Sequence, residues 1–277
     1  MASDKFDLTG KVALITGAAG LLGSEHATAL LESGATVVIT DISNDNLKNL
    51  QQTLSNKYAH SKIIIKVMDV TQPEEVISIS NELRSQLVYV DILINNAALD
   101  PKVVRDKGLL ETSRLENFSL KQWELEIAVG LSGAFLCSQV FGAHMAQSKK
   151  GGVILNISSD LSIFSPDQRL YKKSGLPEDQ QPVKPVTYSV IKSGLIGLTR
   201  YLATYWADKN VRCNALSPGG VYSDQDEEFV KRLSSLIPLG RMAKKDEYHA
   251  AVQFLCSDAS SYMNGQNIVM DGGRSTW

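Results

Sequence analysis

The sequence predicts an α/β fold, a doubly wound parallel sheet with helices on both faces. Short runs rich in aliphatic and β-branched residues alternate with longer stretches of helical periodicity. The short runs are almost wholly apolar, as strands buried on both faces must be, and each connection is long enough for a crossover helix. In order these are strand 12–16, helix 21–33, strand 36–40, helix 44–57, strand 63–67, helix 73–87 and strand 92–95. A long helical stretch at 120–147 leads to strand 153–157, helix 187–208 and strand 211–216. Gly34 sits just past the first helix, where a left-handed C-terminal turn favours glycine. No repeat or low-complexity linker divides the 277 residues, so a single domain over 1–277 is expected. Two polar segments, 99–119 and 160–186, break the rhythm as enlarged loops. Both follow the carboxyl ends of strands, where open α/β sheets place their ligands.

Composition narrows the function classes. Hydrophobic residues make up 43% and charged residues 21%, which excludes a disordered or collagen-like chain. Lys plus Arg (28) against Asp plus Glu (30) leaves a net charge of −2, so no global positive field attracts nucleic acid. Cys137, Cys213 and Cys256 are odd in number, widely spaced and set among apolar residues. They build neither a disulfide framework nor a CxxC metal site, and buried thiols in a reducing, cytoplasmic setting are expected. His26, His60, His144 and His249 lack metal-ligand spacing, so no metal is expected. The first ten residues are polar and no apolar run approaches the ~20 residues that cross a bilayer, so no membrane partner is expected.

Three groups of residues carry chemistry. Residues 11–23 (KVALITGAAGLLG) run from a strand through a glycine-rich turn into a helix. Gly17, Gly20 and Gly23 permit a tight turn, close approach to a pyrophosphate and close helix packing, while the helix amino end favours negative charge. Asp41 closes the second strand, 18 residues beyond Gly23, where a carboxylate accepts from a ribose hydroxyl and repels a 2′-phosphate. NAD is therefore favoured over NADP; a helix cap is the competing role for Asp41, although Ser43 or Asn44 can fill it. Tyr188 and Lys192, four apart, share one helix face. Tyr58–Lys62 and Tyr205–Lys209 repeat that spacing, but only Tyr188 begins a helix after the fifth strand. An ammonium ~4 Å from a phenol at an effective dielectric of ~20 contributes about 4 kcal/mol toward the phenolate, before desolvation opposes it. General acid/base work near neutral pH follows. Ser158 and Ser159 end the fifth strand, where a hydroxyl can meet a reacting oxygen or merely cap a turn.

These segments together resemble the short-chain dehydrogenase/reductase family from about Leu8 to Gly273. The resemblance also rests on residues 95–98 (NNAA), 156–159 (NISS), 217–221 (SPGGV), 254–262 (FLCSDASSY) and 265–273 (GQNIVMDGG). It implies a single doubly wound Rossmann domain with a seven-stranded parallel sheet, assembled as a dimer or tetramer through long helices. It also implies that Tyr188 is the acid/base, that Lys192 lowers its pKa and holds the nicotinamide ribose, and that Ser159 orients the substrate oxygen. Gly17, Gly20, Leu21, Leu22, Gly23, Asp41 and Ile42 would then hold the dinucleotide. Asp69 and Val70 would face its adenine, Asn95 and Ala97 line the cleft, and Pro218, Gly219 and Val221 embrace the nicotinamide amide. The implied activity is hydride transfer between NAD and a secondary alcohol or ketone of a small molecule, including sugar derivatives.

Three departures matter. Leu21 stands where shorter members have glycine, a spacing shared with the extended branch, so an epimerase or dehydratase that retains NAD is an alternative. Gly130 stands where the family has an asparagine that holds a relay water, which leaves backbone-bound water to replace it and opens a non-catalytic nucleotide-binding scaffold as a further alternative. Ser159 and Tyr188 are 29 apart because the 160–186 loop is enlarged. Arg169, Lys172 and Lys173 there, with Lys102, Arg105, Lys107 and Arg114 in the other loop, either attract an anionic substrate or are balanced by neighbouring carboxylates. This arrangement is similar to bacterial members linked to sugar modification of flagellin or surface polysaccharide. Trp123 is expected in the core or an interface, and residues 222–231 as a mobile substrate lid.

Overall fold

Alternation along each strand divides the apolar side chains between two cores, because successive residues face opposite sides of a sheet. Ala13, Ile15, Val37, Ile39, Ile92, Ile94 and Leu155 pack on one side. Leu14, Val38, Leu93 and Ile154 pack on the other. The computed structural model describes residues 5–59, 62–99 and 112–277. Seven strands pair in parallel: β1 (Val12–Ile15), β2 (Thr36–Asp41), β3 (Ile63–Val67), β4 (Ile92–Asn95), β5 (Gly152–Ile157), β6 (Val211–Pro218) and β7 (Asn267–Met270). Their spatial order is β3-β2-β1-β4-β5-β6-β7. The order reverses between β1 and β4, where the chain's crossovers leave opposite faces and a crevice opens at the carboxyl ends.

Helices cover both faces. The helices α1 (Gly23–Glu32), α2 (Asn44–Lys57) and α3 (Pro73–Ser85) separate the first four strands. Next come α4 (Leu120–Gln147) and α5 (Val186–Tyr205). They are followed by α6 (Glu227–Ser235) and α7 (His249–Cys256). Ala27, Leu30, Leu47, Val252 and Leu255 bring α1, α2 and α7 onto the first core. Val76, Ile79, Leu83, Phe141, Met145 and Leu202 bring α3, α4 and α5 onto the second. Two expected boundaries shift: α1 begins at Gly23 rather than at 21, and α5 ends at Tyr205 before a separate turn, Ala207–Lys209.

The expectation that no apolar run approaches membrane-spanning length is corrected by one helix, by length and composition only. Helix α4, with 28 residues, is long and apolar enough to cross a membrane by length and composition. In this fold its Cys137, Phe141 and Met145 are at most 2% exposed beneath the sheet, and a core helix of that kind passes the same measure. All three cysteines are free and buried. Burial pushes the Cys137 and Cys256 thiols up to about 12, so they act as small apolar side chains.

Of the four histidines, His60 lies outside the described residues. His144 accepts from Arg84 at 2.9 Å, and His249 pairs with Glu25 at 2.9 Å. No cluster with metal-binding composition occurs among the described residues. His26 on α1 is 1% exposed, and neither ring nitrogen has a hydrogen-bond partner. Burial, with a smaller contribution from His249, holds its imidazole down to about 3. An unfolded imidazole titrates near ~6.5, so stability is complete above that pH and falls as acid protonates only the unfolded chain. The expected loss between pH 6.5 and pH 4 is about 1.4 kcal/mol per pH unit, read from denaturant unfolding. His26→Leu should flatten that slope, and an unchanged slope in the variant would contradict the assignment.

Candidate active site

The carboxyl ends of β1, β2 and β4 are held together by the turn that follows β1. Thr16 Oγ1 accepts from the amides of Asn96 and Ala97 at 3.0 and 3.1 Å. Asn96 Nδ2 returns two bonds, to the carbonyls of Thr16 at 3.0 Å and Gly17 at 2.9 Å. Gly17 has φ +59°, and a Cβ there would lie 2.8 Å from Ala97 Cα. A Cβ on Gly23 would lie 2.3 Å from Gly17 O, so the helix start and the turn are in backbone contact. Leu22, the residue before α1, makes no side-chain cap, and the Ser24 amide in the first turn donates to the Gly20 carbonyl at 3.3 Å. Leu21 is 41% exposed on the outer side of this turn, whereas Leu22 packs on the core.

Asp41 braces the same turn. Its Oδ2 accepts from the Ala19 amide at 3.2 Å and its Oδ1 from Ser43 N at 3.1 Å. Ser43, not Asp41, caps α2, accepting from Asn46 N at 3.3 Å. Ile42 beside it is 68% exposed. Asp69 accepts from the amide and hydroxyl of Thr71 at 2.9 and 2.7 Å, closing a tight turn after β3. Val70 packs against Gly133, where a Cβ would meet its Cγ2 at 2.6 Å. Asn95 is placed differently from a cleft-lining side chain: its Nδ2 donates to Ser138 at 2.9 Å and Asn156 at 2.8 Å inside the sheet. Its Oδ1 is buried without a hydrogen-bond partner. The neighbouring Asn96, which stitches β4 to the turn, was not singled out by the sequence pattern.

After β5 the two serines diverge. Ser158 Oγ donates to the Lys192 carbonyl at 2.7 Å, tying α5 to the strand end. Ser159 Oγ donates to Asp160 Oδ1 at 2.9 Å. Lys192 is 6% exposed, and its Nζ donates to the Ile157 carbonyl at 2.9 Å. Tyr188, one turn earlier on α5, is half-buried, with Lys192 Nζ 5.7 Å and Lys184 Nζ 3.8 Å from its ring centroid. The competing pairs fail on geometry: Tyr58 and Tyr205 each end a helix, so neither shares a helical face with its lysine. Gly219 N donates to Met270 O at 2.8 Å, and Val221 bridges Ala243, fixing the segment after β6. Asp160 is buried, which raises its carboxyl, while Ser159 and Arg274 draw it back down.

The enlarged loop is a braced wall. Gln168 grips both backbone groups of Lys184, at 2.8 and 3.3 Å, and Gln181 grips those of Lys173, at 2.8 and 3.0 Å. Leu170 joins Leu233, Ile237 and Met242 in a small core with Tyr171 and Phe229. Arg232 on α6 donates to the Lys172 carbonyl at 2.6 Å. Residues 222–231 are therefore less a free lid than the start of a capped helix, with Asp226 accepting from the Glu228 and Phe229 amides. Three of the loop cations are paired: Arg169 with Asp167, Lys172 with Glu178 and Arg114 with Glu116. Lys102, Arg105 and Lys107 lie outside the described residues, as does most of the 99–119 loop. Trp123 is half-buried.

Gly130 lies in a π-helical turn of α4, Ala128–Ser132. A Cβ there would come within 2.8 Å of Ile191 Cγ2 and 3.2 Å of its Cδ1. Isoleucine on α5 thus occupies the volume that a side chain at 130 needs. Gly130→Asn should lower the thermal midpoint by several degrees through overpacking of about 1–3 kcal/mol. Adding Ile191→Ala should recover part of that loss, and a Gly130→Asn protein as stable as the parent would contradict the packing.

Comparison with known proteins identifies the family. The family model described as short chain dehydrogenase matches residues 11–171, and one described as enoyl-(acyl carrier protein) reductase matches 178–275. A D-threitol dehydrogenase of Mycolicibacterium smegmatis is 32% identical over 274 residues, covering 97% of this chain and 94% of that protein. A gluconate 5-dehydrogenase of Burkholderia cenocepacia, solved with NADP and tartrate, superposes with a TM-score of 0.83 at 28% identity, covering 100% of each chain. A short chain dehydrogenase of Leptospira borgpetersenii with bound NAD+ also gives 0.83, at 30% identity, covering 99% of this chain and 96% of that one. The chain belongs to the short-chain dehydrogenase/reductase family and is an oxidoreductase acting on CH–OH groups.

Proposed function

We propose that this chain oxidises a secondary alcohol of a polyol or sugar acid with NAD, and catalyses the reverse reduction. The observation that carries the reading is Tyr188 and Lys192 on one face of α5, with Lys192 bonded into the end of β5 beside Ser159. Bound NAD supplies the hydride acceptor. Tyr188 takes the hydroxyl proton as its phenolate, Lys192 favours that phenolate, and Ser159 faces the substrate oxygen. The residues present fit a dinucleotide: Gly17 and Gly23 leave no room for a Cβ, and α1 starts without a side-chain cap. Gly20, Leu21 and Leu22 would meet the pyrophosphate, Asp41 and Ile42 the ribose, and Asp69 and Val70 the adenine. The backbone of Asn95 and Ala97 would line the cleft, with Pro218, Gly219 and Val221 against the nicotinamide amide.

The substrate class is drawn from the relatives named for threitol and gluconate and from the wide polar wall of residues 160–186. Buried, unpaired thiols suit a reducing cytoplasm. Exposed Leu125, Phe135, Tyr201 and Tyr205 along α4 and α5 suit assembly into a homodimer or homotetramer. Purified protein should reduce NAD in the presence of D-threitol, D-mannitol or D-gluconate, followed at the nicotinamide absorbance. Tyr188→Phe should lower kcat by about 10²–10⁴-fold with nucleotide affinity retained; undiminished turnover in that variant would overturn the assignment. Because Asp41 opposes a 2′-phosphate, NAD should bind at least about tenfold more tightly than NADP, and Asp41→Ala should narrow the gap. Tighter binding of NADP by the parent would refute the cofactor preference.

A further inference from the structure

A cavity of about 440 Å³ opens at the amino end of the sheet, between the end of α3 and the last turns of α4. That volume lies within the range of small-molecule sites. Its floor is apolar, formed by the buried side chains of Leu83, Val88, Phe141 and Met145. Its wall carries an arginine aimed by a histidine. Arg84 Nη1 lies 2.9 Å from His144 Nε2, and His144 Nδ1 lies 3.1 Å from Ser80 Oγ. A guanidinium only donates, so Nε2 accepts and the ring proton sits on Nδ1, where it donates to Ser80. Partial burial and the Arg84 charge hold this imidazole below its ordinary value, which keeps it a neutral acceptor.

The arginine is steered toward α4 without being neutralised. Among the described residues no carboxylate pairs with Arg84, whose other N–H groups remain for the cavity it lines. Lys150 adds a second cation at the mouth. Asp91 is the one carboxylate on the described wall, and its Oδ2 accepts from Val12 N at 2.9 Å. Leu87 and Tyr89 leave apolar surface uncovered at the same mouth. Leu87 is 77% exposed at φ +59°, a conformation that leucine rarely adopts.

We propose that this cavity binds a small amphipathic carboxylate, its apolar body against Leu83, Phe141 and Met145 and its carboxylate on the Arg84 fork. Arginine meets a carboxylate with two parallel, charge-assisted bonds, and the histidine fixes the fork in advance. A cation in the last turn of α3 also suits the helix dipole, but that role needs neither the bond to His144 nor an apolar hollow beside it. The cavity and the nucleotide crevice lie at opposite ends of β1 and β4, so both can be filled at once.

The test uses the whole chain, saturated with NADH, and titrates octanoate and octanol by calorimetry. Octanoate should bind one site with a Kd below about 1 mM, and octanol at least about tenfold more weakly. Arg84→Met keeps much of the stem and loses the fork; it should weaken octanoate about tenfold and leave octanol unchanged. Ser148→Trp, at the exposed rim, should close the mouth to both. Both positions are exposed, so thermal midpoints near that of the parent are expected. No saturable binding of octanoate overturns the inference. Octanoate affinity unchanged in both variants places the ligand elsewhere, and equal losses of octanoate and octanol in Arg84→Met remove the role of the charge; either result also overturns it.

Discussion

Everything at the carboxyl edge of the sheet depends on how closely the turn after β1 lies against the strand end of β4. A Cβ at Gly17 would sit 2.8 Å from Ala97 Cα, so the approach is possible only without a side chain there. Thr16 and Asn96 then lock it with four hydrogen bonds across some 80 residues of chain. Because β1 and β4 are neighbours at the point where strand order reverses, the lock also sets the depth of the crevice. Asp41 enters from the next strand and bonds the same turn, so this carboxylate and the glycine turn are positioned together.

The other half of the site is fixed by α5. Ser158 Oγ donates to the Lys192 carbonyl and Lys192 Nζ to the Ile157 carbonyl, so the phenol and ammonium are set against the end of β5. Gly130 lets α4 and α5 approach with Ile191 between them, and the Glu126 carboxylate accepts from Thr187 Oγ1 beside Tyr188. Helix α5 is therefore clamped on two sides. Outside it, the enlarged loop and α6 share one small apolar core, which makes the loop a built surface and not a loose flap.

The sheet was largely legible in the sequence because strands buried on both faces must be runs of Val, Ile and Leu, and six such runs stand out. The seventh, Asn267–Met270, is only half-buried at the sheet edge, and it emerged through family resemblance instead of pattern. The start of α1 was misplaced because Leu21 and Leu22 continue the helical apolar period although they belong to the turn. Tyr188 and Lys192 were legible because their spacing recurs but their position does not. Asn96 and the Asp160–Arg274 pair were not, since each acts through partners 80 and 114 residues away that no local pattern marks. Asn95 is ambiguous for the same reason: a polar residue at a strand end points equally well into a cleft or into the sheet, and here Ser138 and Asn156 accept from its Nδ2.

The central claim is that one crevice gathers the glycine turn, Asp41 and the Tyr188–Lys192 face around a single dinucleotide. A crystal structure of the chain grown with NADH tests it most directly. The account predicts density running from Asp41 past Gly17–Gly23 to a nicotinamide ring between Lys192 and Pro218, with the Tyr188 hydroxyl turned toward it. Nucleotide bound elsewhere on the sheet, or a nicotinamide ring remote from Tyr188, would contradict it.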